Sequence, residues 1–473
     1  MKPREYIDFK LYLTGVTGDD ACEVTLLPTP EVGETGSPVR VQTDVGPDAG
    51  LLPFLAGKAI EWRQLVTLGK GLANWLLPEG EIRKLYEQAL NQVGNKGGVR
   101  LRLIFGDQAL KKWPWEYTYH DPLGGSDSMR GFLALDPRIS IVRHEPLPIP
   151  HPGPARSDST LTCLPIIVAA ASPEGQAKLK LDREVSNIRE ALADLDVDGV
   201  AITPEPVLMH ATPLDVADAL RGAGSAFIFH FVGHGTVETH RDRFTRGASV
   251  DQGVLFFVED KATNSQIRVP ADLLAQQLQQ ADVRLAVFGA CYSGLGSEQS
   301  RWDGVAGALA YRRIPAVVAM QYAVIDSQAI VFARAFYGAL AAGLSLDEAM
   351  TLGRLAIYQD MPASYDGPVN VEWGVPVLYT RLPDGVILPE RADAGTETAN
   401  KLRSVIQRVG TIHESGVVVG VDAATLEGSF DVNQTVKDVL GRLVGFHGTG
   451  DSVHIVQDLG TVSGEVTGVD WGD

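Results

Sequence analysis

The chain has 473 residues, 59 of them acidic and 41 basic, for a formal net charge of −18. That balance repels a phosphate backbone, and no dense Lys/Arg cluster offsets it, so nucleic acid is not expected as a partner. Three cysteines (Cys22, Cys163 and Cys291) make neither a disulfide framework nor a zinc site and fit a reducing cytoplasm, while 45% hydrophobic and 21% charged residues are those of a globular chain of about three domains.

The opening residues, Met1-Lys2-Pro3-Arg4-Glu5-Tyr6, hold no apolar signal-peptide core. Alternation predicts strands over 7–13 and 22–27, and helical periodicity predicts helices over 62–77 and 81–93. Two further strands, 99–105 and 140–143, flank Trp113-Pro114-Trp115-Glu116, giving an N-terminal α+β section over residues 1–150. Prolines at 146, 148, 150, 152 and 154 then form a stiff extended spacer.

From 157 to 385 strands and helices alternate, which implies a mostly parallel sheet. Strands are expected over 164–170, near 200, and over 226–232, 254–258, 285–288, 316–321 and 374–379. Between them fall helices from 182 to 195, after the Thr212-Pro213 cap, and over 270–280, 302–313 and 326–342, then one opened by Ser345 and Glu348. Arg312 and Arg313 interrupt the apolar stretch 304–325, so it does not read as a membrane span. Beyond the polar stretch 388–395, Val-rich runs divided by glycines predict a small β-rich accessory domain over 395–473. There Gly420-Val421-Asp422 recurs as Gly468-Val469-Asp470, with Val444-Gly445-Phe446 between them.

Two central segments carry chemistry. Phe229-His230-Phe231-Val232-Gly233-His234-Gly235 and Val287-Phe288-Gly289-Ala290-Cys291-Tyr292-Ser293-Gly294 each read as a buried strand that stops at a reactive side chain beside a glycine turn. If the two strands are neighbours, an imidazole and a thiol meet at one sheet edge. Cys291 is then the nucleophile and His234 the base, with the backbone N–H groups of Gly235 and Cys291 placed for an oxyanion. Taken singly, either residue reads more simply as a structural thiol or a satisfied core histidine; the pairing favours catalysis. His230 and His234 on one strand lie about 13 Å apart, too far for one metal ion. Cys22 and Cys163 read as core thiols, and Gly69-Lys70-Gly71 lacks the rest of a phosphate-binding loop.

These motifs, with Leu181-Asp182-Arg183-Glu184, Ala290-Cys291-Tyr292-Ser293-Gly294, Met320-Gln321-Tyr322, Phe332, Phe336, Tyr337 and Glu372-Trp373-Gly374-Val375-Pro376, resemble a CHAT domain. That family is a bacterial branch of the caspase-like cysteine peptidases, related to separase. The 57 residues from His234 to Cys291 are close to the caspase spacing of about 50. The resemblance implies an α/β fold with a caspase-hemoglobinase-like, mostly parallel sheet flanked by helices. It further implies peptide-bond hydrolysis without metal or organic cofactor, and a protein substrate such as a gasdermin in bacterial defence or programmed cell death. Regulation is expected from a partner or a flanking domain, and no membrane insertion is implied.

Many relatives carry Asn, and metacaspases Asp, two residues before the nucleophile, where this chain has Gly289. A basic residue before the scissile bond would therefore need another acid, Asp326 being nearest in sequence, although Asp326 also reads as a helix cap. An apolar or small residue is expected there instead, in a pocket bordered by Gly289, Tyr322 and Asp326. The segment 239–252 reads as a lid or as a solvated hairpin loop, and 293–303 as a loop that rearranges on activation. A non-catalytic caspase-like scaffold is the second reading, disfavoured because a scaffold needs neither His234 nor Cys291. A thiol acyltransferase is the third.

Overall fold

A computed structural model of the chain describes residues 3–15, 21–121, 128–145, 163–176, 178–192, 196–197, 200–203, 205–223, 227–241, 249–281, 283–289, 303–322, 324–360, 369–387, 403–412, 417–439, 442–462 and 465–470. Residues 1–389 form one compact unit and Glu390–Asp473 a second.

Alternation starts the first unit: Phe9, Leu11 and Leu13 are wholly buried on β1 (Tyr6–Gly15), while Asp8, Lys10 and Tyr12 between them retain solvent contact. β2 (Ala21–Leu26), β3 (Val39–Gln42), α1 (Leu52–Ala56), α2 (Trp62–Leu76), α3 (Glu81–Val93), β4 (Gly98–Phe105), α4 (Gln108–Lys111) and β5 (Ile139–Arg143) follow. The central run comprises β6 (Cys163–Ala170), α5 (Leu181–Leu192), β7 (Asp196–Val197), β8 (Val200–Thr203), β9 (Val207–Met209), α6 (Pro213–Gly222), β10 (Phe227–Val232), β11 (His234–Arg241), β12 (Ser249–Val258) and β13 (Gln266–Pro270). It continues through α7 (Ala271–Gln280), β14 (Val283–Gly289), α8 (Asp303–Tyr311), β15 (Ala316–Met320), α9 (Asp326–Ala341), α10 (Leu346–Asp360) and β16 (Pro376–Thr380). No helix among the described residues is long and apolar enough to cross a membrane.

Thirteen strands join in one sheet, in the order β3-β2-β1-β4-β5-β16-β15-β14-β10-β6-β8-β7, with β9 beside β6. Pairing is parallel except at β1–β2, β2–β3, β7–β8 and β15–β16. Every residue of β4, β5, β10, β15 and β16 is buried, as befits strands covered on both faces. A second, antiparallel sheet holds β11-β12-β13.

Local signals fix the helix starts. Thr212 Oγ1 accepts from the Asp215 N–H at 3.1 Å while Asp215 Oδ2 accepts from the Thr212 N–H at 2.9 Å, closing a capping box at α6. Ser345 and Glu348 form the expected box at α10. The segment 239–252 departs from a free loop: Thr239, His240 and Arg241 pair with Asp251, Val250 and Ser249. Backbone ladder bonds hold this ribbon, so apolar alternation gives no sign of it. Only 242–248 of that segment, and all of 293–302, lie outside the described residues.

The second unit is a parallel four-stranded sheet of β17 (Arg403–Ile412), β18 (Val417–Val439), β19 (Arg442–Val462) and β20 (Glu465–Asp470). Its register stacks the sequence echo: Val421 pairs with Phe446, which pairs with Val469, and Asp422 with His447, which pairs with Asp470.

Between β5 and β16 the paired register is a single residue pair, Tyr379 with Arg143, and buried arginines hold this seam. Arg100 donates from Nε to Asp347 Oδ1 at 2.8 Å and from Nη2 to Asp347 Oδ2 at 2.5 Å, with both side chains almost wholly buried. Arg102 donates to Asp8 at 2.7 Å and to the carbonyls of Thr380 and Leu382. Burial alone would raise the Asp347 pKa, but Arg100, together with Ser140 and Arg102, outweighs it and holds the carboxyl below its ordinary value. The pair's stabilisation is therefore full above a pH of about 4 and is lost as pH falls through the depressed pKa. Asp347→Ala strands a buried cation and is expected to cost about 3–5 kcal/mol. Denaturant unfolding at pH 7 measures that cost, and the variant should also show a flatter loss of stability towards pH 3.

Candidate active site

Two parallel strands end side by side. The β10–β14 register runs from Ile228 opposite Leu285 to Val232 opposite Gly289. Two residues beyond each member of that last pair stand His234 and Cys291. Cys291 lies outside the described residues, within 290–302.

His234 is half-buried and opens β11 opposite Phe256, and Gly235 follows opposite Leu255. The expected His-Gly turn is instead the start of a strand, and the chain changes sheet at Gly233. A Cβ there would sit 2.6 Å from the Phe231 ring and 3.0 Å from the Ala171 carbonyl oxygen, so close approach requires glycine at that joint. Gly289, also half-buried, ends β14, and a Cβ on it would lie 3.6 Å from His230 Nε2, ordinary contact. Tyr322 is half-buried just past β15. Asp326 is the first residue of α9, whose cap position is taken by Ile325, so the aspartate is not the N-cap; its side chain is outside the description.

On the α5/α9 side of these strand ends lies a largely apolar cavity. Val232, Val287, Gly289, Met320, Val324 and Phe332 contribute to its wall, with Glu184, His230 and Tyr337 as the other chemistry-bearing residues. His230 Nδ1 and the Tyr337 hydroxyl are hydrogen-bonded at 2.8 Å. Burial lowers the His230 pKa to about 4 and raises that of Tyr337, so both are neutral near pH 7. Among the described residues no group of three or more His, Cys, Asp or Glu could hold a metal ion.

The segment after β15 is held from behind. Gln321 Nε2 donates to Glu116 Oε2 at 3.0 Å and to the Gly374 carbonyl at 2.7 Å, and its Oε1 accepts from Arg143 at 3.2 Å. Arg143 also donates to both Glu116 oxygens, at 3.2 and 2.9 Å. Glu372 pairs with Lys58 and accepts from the Ile325 N–H at 3.4 Å. Glu116, Gln321 and Glu372 stand within recognisable sequence motifs, but their positioning role shows only when distant segments meet. His230 and Tyr337 carried no sequence signal of their pairing, since they are 107 residues apart.

A family model described as CHAT domain matches residues 68–407. The chain belongs to the CHAT domain family. Its fold is the expected one, mixed α/β with a large, mostly parallel sheet flanked by helices. No curated protein matches it. Among solved structures it is similar to a protein from Geobacter sulfurreducens (17% identity over 49% of this chain and 97% of that one, TM-score 0.28). It is also similar to a chain of the Saccharomyces cerevisiae separase–securin complex (14%, 67% and 18%, TM-score 0.31). The Arg-specific cysteine proteinase gingipain R is a third likeness (14%, 65% and 68%, TM-score 0.36). This CHAT-family chain thus spans less than a fifth of the yeast chain it matches.

Gln321→Leu leaves Glu116 and the Gly374 carbonyl short of a buried donor. A loss of about 1–3 kcal/mol in unfolding free energy is expected, read from the denaturant midpoint at constant slope.

Proposed function

We propose that this CHAT-family chain is a cysteine endopeptidase that cuts a specific partner protein, with Cys291 as nucleophile and His234 as base. The carrying observation is the register of β10 and β14, in which Val232 faces Gly289. Adjacent strands lie about 4.8 Å apart, and two residues of chain reach at most about 7 Å, so this register supports a meeting of the imidazole and the thiol at one strand edge.

In this reading His234 takes the Cys291 proton, and the thiolate attacks the carbonyl carbon of the scissile bond. Backbone N–H groups of Gly235 and Cys291 take the developing oxyanion. His234 then gives its proton to the leaving amine, and water hydrolyses the thioester to restore the thiol. The chemistry calls on no cofactor. Gly289 brings no carboxylate to the edge, so a Lys or Arg before the scissile bond finds no partner at that position; an apolar or small residue is the expectation from Gly289 alone.

Mass-spectrometric comparison of lysate proteins treated with wild type, Cys291→Ala and His234→Ala tests the assignment. New protein termini are expected with wild type alone, with turnover at the mapped site down by at least about a thousandfold in either variant. Equal cleavage by Cys291→Ala removes the peptidase reading.

A further inference from the structure

The cavity beside Gly289 has a direction. His230 and Val232 alternate onto one face of β10, opposite Val287 and Gly289 of β14. Val232 and Gly289 stand at the strand ends, and His230 and Val287 one side-chain layer deeper, about 7 Å along the strands. The covering helices α5 and α9 begin just beyond the ends of β6 and β15 and run back along the sheet. Glu184 in the first turn of α5 therefore lies towards the mouth, and Tyr337 in the last two turns of α9 lies towards the floor.

Among the described residues, the polar groups at the floor are the paired His230 and Tyr337 side chains. His230 is 6% exposed, and its Nδ1 is committed to the Tyr337 hydroxyl. Its Nε2 has no hydrogen-bond partner among the described residues and faces the space beneath Gly289, 3.6 Å from where a Cβ on that residue would sit. The walls at this depth are Ile188, Val287, Ala333 and Phe336. Glu184, the one carboxylate among the described lining residues, lies towards the mouth, and burial is the influence that shifts the His230 pKa. A cationic tip reaching this floor would be desolvated against a neutral imidazole, whereas an uncharged tip can hydrogen-bond to it.

We propose that this slot receives the side chain just before the scissile bond, and that His230 Nε2 makes it select an uncharged, elongated side chain with a hydrogen-bonding tip, tyrosine or glutamine in preference to phenylalanine or leucine. The assignment rests on the peptidase reading for its location, since Gly289 is two residues from Cys291. His230 is then a specificity-determining residue, and Tyr337 a positioning residue that orients its ring.

Fluorogenic peptides varied at that one position test it with the full chain. Wild type is expected to favour tyrosine over phenylalanine and glutamine over leucine by about tenfold, the worth of one uncharged hydrogen bond. His230→Phe should erase both ratios by lowering turnover of the polar-tipped peptides alone. Tyr337→Phe, which keeps the imidazole and the packing, should shrink the ratios without abolishing turnover. Fastest wild-type turnover after Lys or Arg, or ratios unchanged in His230→Phe, overturns the proposal. Absence of any Cys291-dependent turnover fails the peptidase reading instead, and the slot is then read separately. In that case the His230 ring resonances of the Cys291→Ala chain are titrated with N-acetyl-tyrosinamide and N-acetyl-lysinamide. A shift with the first alone sustains the slot, and a shift with neither, or with the second, overturns it.

Discussion

A row of buried guanidinium groups decides whether the large sheet exists as one piece. The N-terminal strands and the central strands meet at β5 and β16, where the paired register is a single residue pair. So short a ladder supplies little backbone pairing, and side chains supply the rest. Arg100 and Arg102 of β4 reach Asp347 and the carbonyls past β16, and Arg143 of β5 reaches Glu116 and Gln321. A guanidinium suits this task because its forked donors satisfy a carboxylate and several carbonyls at once. The cost of desolvating these charges is borne only where every partner is in place, so the seam specifies one arrangement of the two halves.

That constraint reaches the candidate site by a short route. Gln321 directly follows Met320, whose side chain lines the cavity, and Gln321 is fixed by Glu116 from the N-terminal stretch and by the Gly374 carbonyl. Glu372 takes the N–H just before α9, the helix that supplies Ala333, Phe336 and Tyr337 to the same cavity. The N-terminal section thus bears on the shape of the slot through polar contacts behind it, without lining it. The cavity wall is tied to the rest of the fold here by directional hydrogen bonds, which tolerate little displacement.

Much of this was legible in the sequence where the signal is local. The helices over 62–76 and 81–93 follow from amphipathic periodicity, the start of α6 from Thr212 and Pro213, and the parallel sheet from strand–helix alternation. Position along the chain also placed His234 just past a strand end. Long-range meetings were not legible. Arg100 and Asp347 are 247 residues apart and Glu116 and Gln321 are 205 apart, and charged side chains on a strand read as solvent-facing until a partner is found. His230 shows the same limit at the site. On a strand it reads as a packed core residue, and only the fold leaves one of its nitrogens facing a cavity. The extension of β11 and β12 through polar residues escaped for the opposite reason, because ladder bonds between backbones leave no hydrophobic pattern.

The change of sheet at Gly233 divides the proposed chemistry between two bodies. The strand leading to the proposed nucleophile belongs to the thirteen-stranded sheet, whereas the proposed base is carried by a three-stranded one. Between β10 and β11 the link is one residue without a side chain. The distance between proton donor and acceptor is thereby a property of how the small sheet sits against the large one. A molecule that grips the β11–β13 ribbon would act as a throttle on proton transfer while leaving the slot and the thiol where they are.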